Sequence, residues 1–530
     1  DGIDGDRSQA LFVSKVGDDF AAGTPEAPLL TIGEALEQAG DPNARVRDIY
    51  VATGVYSENI TLVDGVNVYG GYALGFRERN REEHPTTILG RPPEMRVQGT
   101  VTAAGIEQPT RLEGFDIYGA NAAIAGANSV AVLITDSGDA LTLTNNEIIA
   151  GNGGPGARGD AGQPGTSGED GEVGARALST PNANCRNRST AGGSGGAGRC
   201  RRQDVSGGVG GGGGCPQSQE DNGNIPCSSA RRDDCRNSCD ASPCNPLPPP
   251  QGVGGEGSGP GDAPGGEATY DRWHNTGDCA LCGLFPGLPH LGQPGANGPT
   301  GDSGNAGQGC EQRIGRLDPA FRWGTAPGAV GRVGVHGTGG GGGSAGSGLD
   351  ATGNAANCRD TLGGAGGGGG AGGCGGSAGS GGQGGGGSFA VIVAFGPDGL
   401  GADGLPRLTR NRIIRGVGGA GGPGGAGGIG GVGGEGAVGG ISSRVFCAEP
   451  GGRGGNGGNG GHGGGGGGGC GGISAGVYVS GAGRIDADGY AEDNELVESG
   501  RAGEGGQGGG STGNPGTPGV GGFLVGLIVQ

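Results

Sequence analysis

The chain has 530 residues, of which 145 are glycine, 32% are apolar and only 4% are aromatic. Glycine usually supplies about 7% of a sequence, so an ordinary side-chain core cannot run through this one. A net charge of −19, with Lys15 the sole lysine, argues against nucleic acid or an anionic membrane as partner, and no apolar run of 18 residues is present to cross a bilayer.

The N-terminus, DGIDGDR, alternates acid and glycine. Asp1, Asp4 and Asp6 are candidate ligands for a structural Ca²⁺, because acidic Asp/Gly loops offer the oxygens that this ion takes. The segment lacks the full twelve-residue loop with its closing Glu, and a solvated terminus is the plainer reading. No other cofactor is expected. No signal peptide is visible at Asp1, so the numbering reads as that of a mature, secreted chain.

Residues 11–90 carry short strands of β-branched and aromatic residues between tight turns. Leu11–Ser14 is the first. Thr31–Ala39 reads as a short helix, with Thr31 as N-cap and Glu34 completing a capping box. Strands follow at Asp48–Ala52, Asn59–Leu62 and Val66–Tyr69. The order LFVSKVGDD, GTPEAPLLTIGEAL, IYVATGVYSENITLVDGVNVYGGY resembles the start of right-handed parallel β-helix proteins of the pectin-lyase-like class. The resemblance covers about the first 90 residues. It implies an all-β fold in which the helix caps the open end of the coil and blocks edge pairing there. Further rungs are expected at Thr86–Leu89, Met95–Gln98, Arg111–Tyr118, Ser129–Thr135 and Ala140–Ile149.

After residue 150 glycine takes over. From Gly416 to Gly440 two of every three positions are glycine, Ala437 being the one break, and Val417, Ala420, Pro423, Ala426, Ile429, Val432, Glu435 and Val438 fill the third. A period of three is neither helical nor strand-like. It is the period of the polyproline-II (PPII) helix, which rises about 3.1 Å per residue and has no internal hydrogen bonds. The same phase holds at 153–174, 292–307, 328–346, 364–385 and 451–472. A flexible linker explains the composition and not the phase. A collagen triple helix needs one long uninterrupted Gly-x-y run. A folded bundle, in which neighbouring PPII helices exchange backbone hydrogen bonds, explains both. In period and composition it resembles the polyglycine-II bundles of snow-flea antifreeze protein and of some phage tail-tip adhesins.

An internal repeat ties the two parts together. Asn146-Glu-Ile-Ile, Asn411-Arg-Ile-Ile and Asn494-Glu-Leu-Val each end a rung before a glycine run. The runs return into Ser388–Ala394, Ile473–Ser480 and Phe523–Val529. The simplest account is one β-helix interrupted repeatedly at one corner. It comprises a stem with N-terminal cap (1–150), a PPII bundle with Cys-rich loops (151–387), a rung (388–416), a PPII hairpin (417–472), a rung (473–499), a short hairpin (500–522) and a C-terminal strand (523–530). Asn146, Asn411 and Asn494 suit a stacked turn ladder.

Fourteen cysteines, Cys185, Cys200, Cys215, Cys227, Cys235, Cys239, Cys244, Cys279, Cys282, Cys310, Cys358, Cys374, Cys447 and Cys470, sit at segment ends and tips. An even number so placed reads as disulfides in an oxidising compartment, with the pairing left open. Zinc is the rival, yet no CxxC…CxxC spacing occurs, and His274 near Cys279 is a weak ligand candidate.

Enzymatic chemistry finds little support. Pectin-lyase-like enzymes need Ca²⁺-binding carboxylates with a basic partner, or paired carboxylates flanking a glycosidic bond. Asp18-Asp19 falls in a turn and Asp233-Asp234 in a Cys-rich loop. His84, His274, His290, His336 and His462 read as isolated. The reading is therefore a non-enzymatic extracellular or cell-surface protein that assembles with itself through the apolar strand Phe523, Leu524, Leu527, Ile528 and Val529. The first alternative is a monomeric adhesin that binds glycan or cell surface through loops 177–290, which hold Trp273, His274 and Phe285. A polysaccharide lyase or hydrolase is the second, and an ice-binding protein the weakest.

Overall fold

The computed structural model describes residues 9–92, 99–181, 188–214, 252–270, 287–349, 359–396, 404–483 and 487–530, and two short strands at Gln217–Ser218 and Pro246–Leu247. The chain is mostly β, and its framework is three six-stranded sheets whose pairings are parallel throughout. The first holds Ala10–Val13, Asp48–Ala52, Asn67–Tyr72, Thr110–Glu113, Leu141–Thr144 and Arg407–Thr409. The second holds Ile60–Thr61, Val101–Ala104, Ser129–Thr135, Ser388–Ala394, Ser474–Ser480 and Leu524–Val529. The third holds Gly54–Tyr56, Thr86–Leu89, Asp116–Tyr118, Glu147–Ile149, Arg412–Ile414 and Glu495–Val497. The chain visits them in the order first, third, second and then repeats, an arrangement compatible with a parallel β-helix.

Side chains hold this stem. Alternate residues of each strand point inward, so Val68, Leu112, Leu143 and Leu408 line up from the first sheet and Ile88, Ile117, Ile148 and Ile413 from the third, all buried in one cluster. Helix α1 (Ile32–Ala39) packs Ile32, Ala35, Leu36 and Ala39 onto the same core. Thr31 caps it by accepting from the Glu34 N–H, 3.2 Å. The reciprocal half of the expected capping box is replaced. Asp19 accepts the Leu30 and Thr31 N–H groups, Glu58 accepts those of Ile32 and Gly33, and Glu34 turns to Gln38 instead. Carboxylates at a helix N-terminus are favoured by its orphan donors and dipole.

Every long glycine-rich excursion leaves the third sheet and returns to the second. The departures follow Glu147–Ile149, Arg412–Ile414 and Glu495–Val497, and the returns are Ser388–Ala394, Ser474–Ser480 and Leu524–Val529. In one rung the described residues include no first-sheet strand. Helix α2 (Gly489–Glu492) stands there, and the Tyr490 hydroxyl donates to the Pro406 carbonyl, 2.7 Å.

Backbone holds the excursions. Gly153, Gly156, Gly159 and Gly162 donate in turn to Val417, Ala420, Pro423 and Ala426, and the ladder continues in threes to Gly174 and Val438. Residues 363–387 run antiparallel to both segments. Ser377 donates to Gln163, Gly428 donates to Ser377, and both series repeat every three residues. Residues 328–346 join 363–387 antiparallel and residues 451–472 join it parallel, each through bonds repeated every three residues. The glycines are a steric requirement. A Cβ on Gly424 would lie inside the Gly466 carbonyl, and one on Gly425 inside the Asp160 carbonyl. The expected strand at 95–98 lies outside the described residues.

Candidate functional site

Two short hairpins cover only part of the glycine-rich body, and the candidate sites lie where they stop. Residues 190–213 fold back through Arg199–Cys200 and Gln203–Asp204. Their returning half takes bonds from Gly366, Gly369 and Gly372 to the carbonyls of Gly211, Gly208 and Val205. The next donor in that column, the Gly375 N–H, goes to His336 Nδ1, 2.9 Å. Residues 501–522 form the second hairpin. Gly418, Gly421, Gly424 and Gly427 donate to Arg501, Glu504, Gln507 and Gly510. Beyond it Gly430 donates to His462 Nδ1, Gly433 to Asn459 and Gly436 to Asn456, and Arg453 donates to the Gly436 carbonyl. Side chains thus take over from a missing backbone. His336 and His462 are therefore not isolated, while His274 lies outside the described residues. Arg453, Asn456, Asn459 and His462 stand three apart in the sequence, the glycine period itself, and that spacing was the legible signal.

At the end of the first hairpin lies an open recess of about 470 Å³, lined among others by Thr166, Arg199, Arg201, Gln203, Val333 and His336. Cys200 and Cys374 form a disulfide in its wall, and Thr166 Oγ1 donates to Cys374 Sγ, 3.0 Å. One ligand atom each from Cys200, His336 and Cys374 lies within 4.8 Å of the others. The donor set would suit zinc as two thiolates and an imidazole, but the sulfurs are bonded to each other, and the Nδ1 lone pair of His336 is engaged by Gly375. The arrangement does not fit a metal in its disulfide form. Burial, with the nearby Arg201 charge, pushes the His336 pKa below its ordinary value, in keeping with an acceptor that must stay neutral.

Asn146, Asn411 and Asn494 stack in a buried turn ladder. Asn146 Nδ2 and N–H both donate to Asn411 Oδ1, at 3.1 and 3.0 Å. Asn411 makes the same pair of bonds to Asn494 Oδ1, each 2.9 Å. The second amide hydrogens reach the carbonyls of Leu112, Leu143 and Leu408 one rung below. All three side chains are spent on backbone and on one another.

Several carboxylates of the stem are also committed. Asp19 serves the helix start, and Asp18 accepts from the Phe20 N–H. Burial raises the Glu113 pKa, yet hydrogen bonding from Arg111 and the Arg79 charge outweigh it and hold the group below the usual carboxylate value. On the third sheet Asp116 and Glu147 share Arg81, and Glu147 and Glu495 share Arg412. A carboxylate held ionised as Glu113 is makes a poor proton donor.

Cys310 and Cys470 form a second disulfide, and Cys447 is also disulfide-bonded. Cys185, Cys215, Cys227, Cys235, Cys239, Cys244, Cys279, Cys282 and Cys358 lie outside the described residues, as do Asp1, Asp4, Asp6, Asp233-Asp234 and most of the loops at 215–286. Leu524 and Val529 are exposed on the outermost strand of the second sheet and Phe523 just before it, while Leu527 packs against the stem core and Ile528 against an outer cluster of Phe389, Ile392, Tyr478 and Trp323.

Residues 15–176 match a family described as Protein of unknown function (DUF1565), a β-helix-like domain, which agrees with the parallel sheets of that segment. No curated protein and no solved structure matches the chain.

Proposed function

We propose that this is a non-enzymatic extracellular structural protein. In this reading a right-handed β-helix stem, closed at one end by α1, carries a polyglycine-II bundle, and copies associate through the strand Leu524–Val529. The observation that carries the reading is that strand. Among the described residues it pairs with Ser474–Ser480 along one edge only, and Leu524 and Val529 are 45% and 44% exposed. An apolar edge strand is a template for strand addition. The disulfides, and the lack of any described helix long and apolar enough to span a membrane, are consistent with an extracellular setting. The arginine-paired acids and the backbone-committed asparagines favour a structural role over catalysis.

The test is electron microscopy and light scattering of the oxidised protein with and without Ca²⁺. Filaments or sheets that are lost in Leu524→Asp and Val529→Asp variants of unchanged melting temperature support the reading. Monodisperse particles at every concentration would overturn self-assembly and move attention to glycan and cell-surface binding.

A further inference from the structure

The two short hairpins leave unequal slots behind them. Past the 501–522 hairpin every donor of the column at Gly430, Gly433 and Gly436 has a side-chain acceptor. Past the 190–213 hairpin only Gly375 does. The next donors in the series, the N–H groups of Ala378 and Gly381, make no hydrogen bond among the described residues. The facing wall is equally open. Residues 205–213 donate from Gly208 and Gly211 to the carbonyls of Gly340 and Gly343. Continued in threes, that series reaches Gly334 and Gly331, whose carbonyls receive no donor among the described residues. Val333 and Val330 flank this stretch, 51% and 62% exposed, and the recess of about 470 Å³ forms its start.

We propose that this slot is a docking site for an extended PPII segment of a partner chain with glycine at every third residue. The inference rests on the polyglycine-II reading above. Continuity with the hairpin specifies the occupant. A strand prolonging 205–213 would accept from Ala378 and Gly381 and donate to Gly334 and Gly331, with bonds about 9 Å apart along it, three residues of PPII rise. It would need glycine where it meets residues 363–387. A Cβ on Gly207 or Gly210 of the hairpin already falls inside the carbonyl of Gly369 or Gly366, and the same lattice continues. His336 guards the first position and can yield its bond to an incoming carbonyl. The exposed valines supply apolar contact for the third residue of each repeat.

The probe is a labelled dodecapeptide of the chain's own residues 417–428, VGGAGGPGGAGG, titrated into the full-length oxidised protein. Binding is followed by fluorescence anisotropy, and amide hydrogen exchange is followed at Ala378 and Gly381. The expected result is saturable binding that slows exchange at both amides. A peptide with alanine for glycine in one column should not bind. Ala378→Pro keeps a PPII backbone and deletes one donor. It should weaken binding about five-fold, the share of one neutral hydrogen bond. Val333→Arg should abolish binding. The proposal is overturned if the peptide does not bind, if a proline-rich peptide without glycine binds equally well, or if both variants bind unchanged. Exchange at Gly425 and Gly428 in the peptide-free protein keeps the two readings apart. Fast exchange there would sink the bundle, whereas slow exchange without peptide binding sinks only the docking site.

Discussion

The stem and the glycine-rich body solve one problem with opposite means. In the stem, strands supply the backbone bonds and inward side chains such as Val68, Ile117 and Leu143 fill the interior. Hydrophobic burial there amounts to about 0.8 kcal/mol per methylene, and the sequence between core positions is loosely constrained. In the glycine-rich body the interior contains almost no side chains. Residues 363–373 are buried, yet all but Ala365 and Ala371 are glycine. Stability there comes from backbone bonds to several neighbours at once, with dispersion between closely packed peptide planes. Fixing so many glycines is entropically expensive, and the disulfides Cys200–Cys374 and Cys310–Cys470 offset part of that by closing long loops, 174 and 160 residues apart in sequence. The contrast teaches where each region is brittle. The stem tolerates exchange of one apolar group for another, and the body tolerates change only on its outward column.

The sharpest way to break the comparison is to add a side chain to the body and remove one from the stem. Gly424→Val drives a side chain into the Gly466 carbonyl. It should cost roughly 4 kcal/mol or more, the range of severe steric substitutions. Ile148→Val deletes one methyl from the stem core and should cost only about 1 kcal/mol. Val432→Ala, on the outward column and 62% exposed, should be near neutral. Differential scanning calorimetry of the three variants decides the matter. An unchanged transition for Gly424→Val would mean that close backbone contact does not hold the body.

Sequence pattern and structure meet unevenly. The parallel-sheet framework was legible because β-branched runs and tight turns fix strands locally, and because Asn146, Asn411 and Asn494 mark equivalent corners. The three-residue glycine phase was legible for a similar reason, since a Cβ is forbidden at a fixed interval. What could not be read was which segments touch. A column of glycines has the same face toward every neighbour, so the pairing of 153–177 with 417–441 leaves no side-chain code. The caps were missed for another reason. His336 and His462 look solitary until the ends of the two short hairpins are known. The Thr31 half of the capping box is made, and the Glu34 half is not, because Asp19, distant in sequence, accepts the Thr31 N–H in its place.

The asparagine ladder joins the two regions at the corner where each excursion departs, and it is the next place to test the contrast. Asn411→Leu preserves bulk and removes the amide. The Asn146 N–H and Nδ2 would lose their shared acceptor, the Leu143 carbonyl would lose a donor, and Asn494 Oδ1 would lose the Nδ2 donor while keeping the backbone N–H of residue 411. Each orphaned buried group costs roughly 1–3 kcal/mol, so a loss of about 3 kcal/mol is expected in equilibrium denaturation. The same change at exposed Asn297, which accepts from the Asn456 N–H, should cost well under half of that. Equal losses at the two sites would show that the ladder is no more than a surface turn.

The smallest effect separates a side-chain cap from a backbone one by pH. His336 accepts the Gly375 N–H through Nδ1 and must be neutral to do so. Burial, aided by Arg201, sets its folded pKa below the ordinary value of 6.5. Between the two values the unfolded chain binds more protons than the folded one, so stability rises with pH across that window. The contribution is complete above pH 6.5 and is lost as pH falls through the folded value. Because the ring is only partly buried, solvent screening limits it to roughly a few tenths of a kcal/mol. His336→Gln keeps an acceptor in reach and does not titrate. Melting temperatures taken from pH 8 to pH 5 should therefore converge for the two proteins at the acid end, after the wild type has led at the alkaline end. Parallel curves would show that the Gly375 bond does not depend on the imidazole, and a backbone strand entering the slot could then displace His336 at no protonation cost.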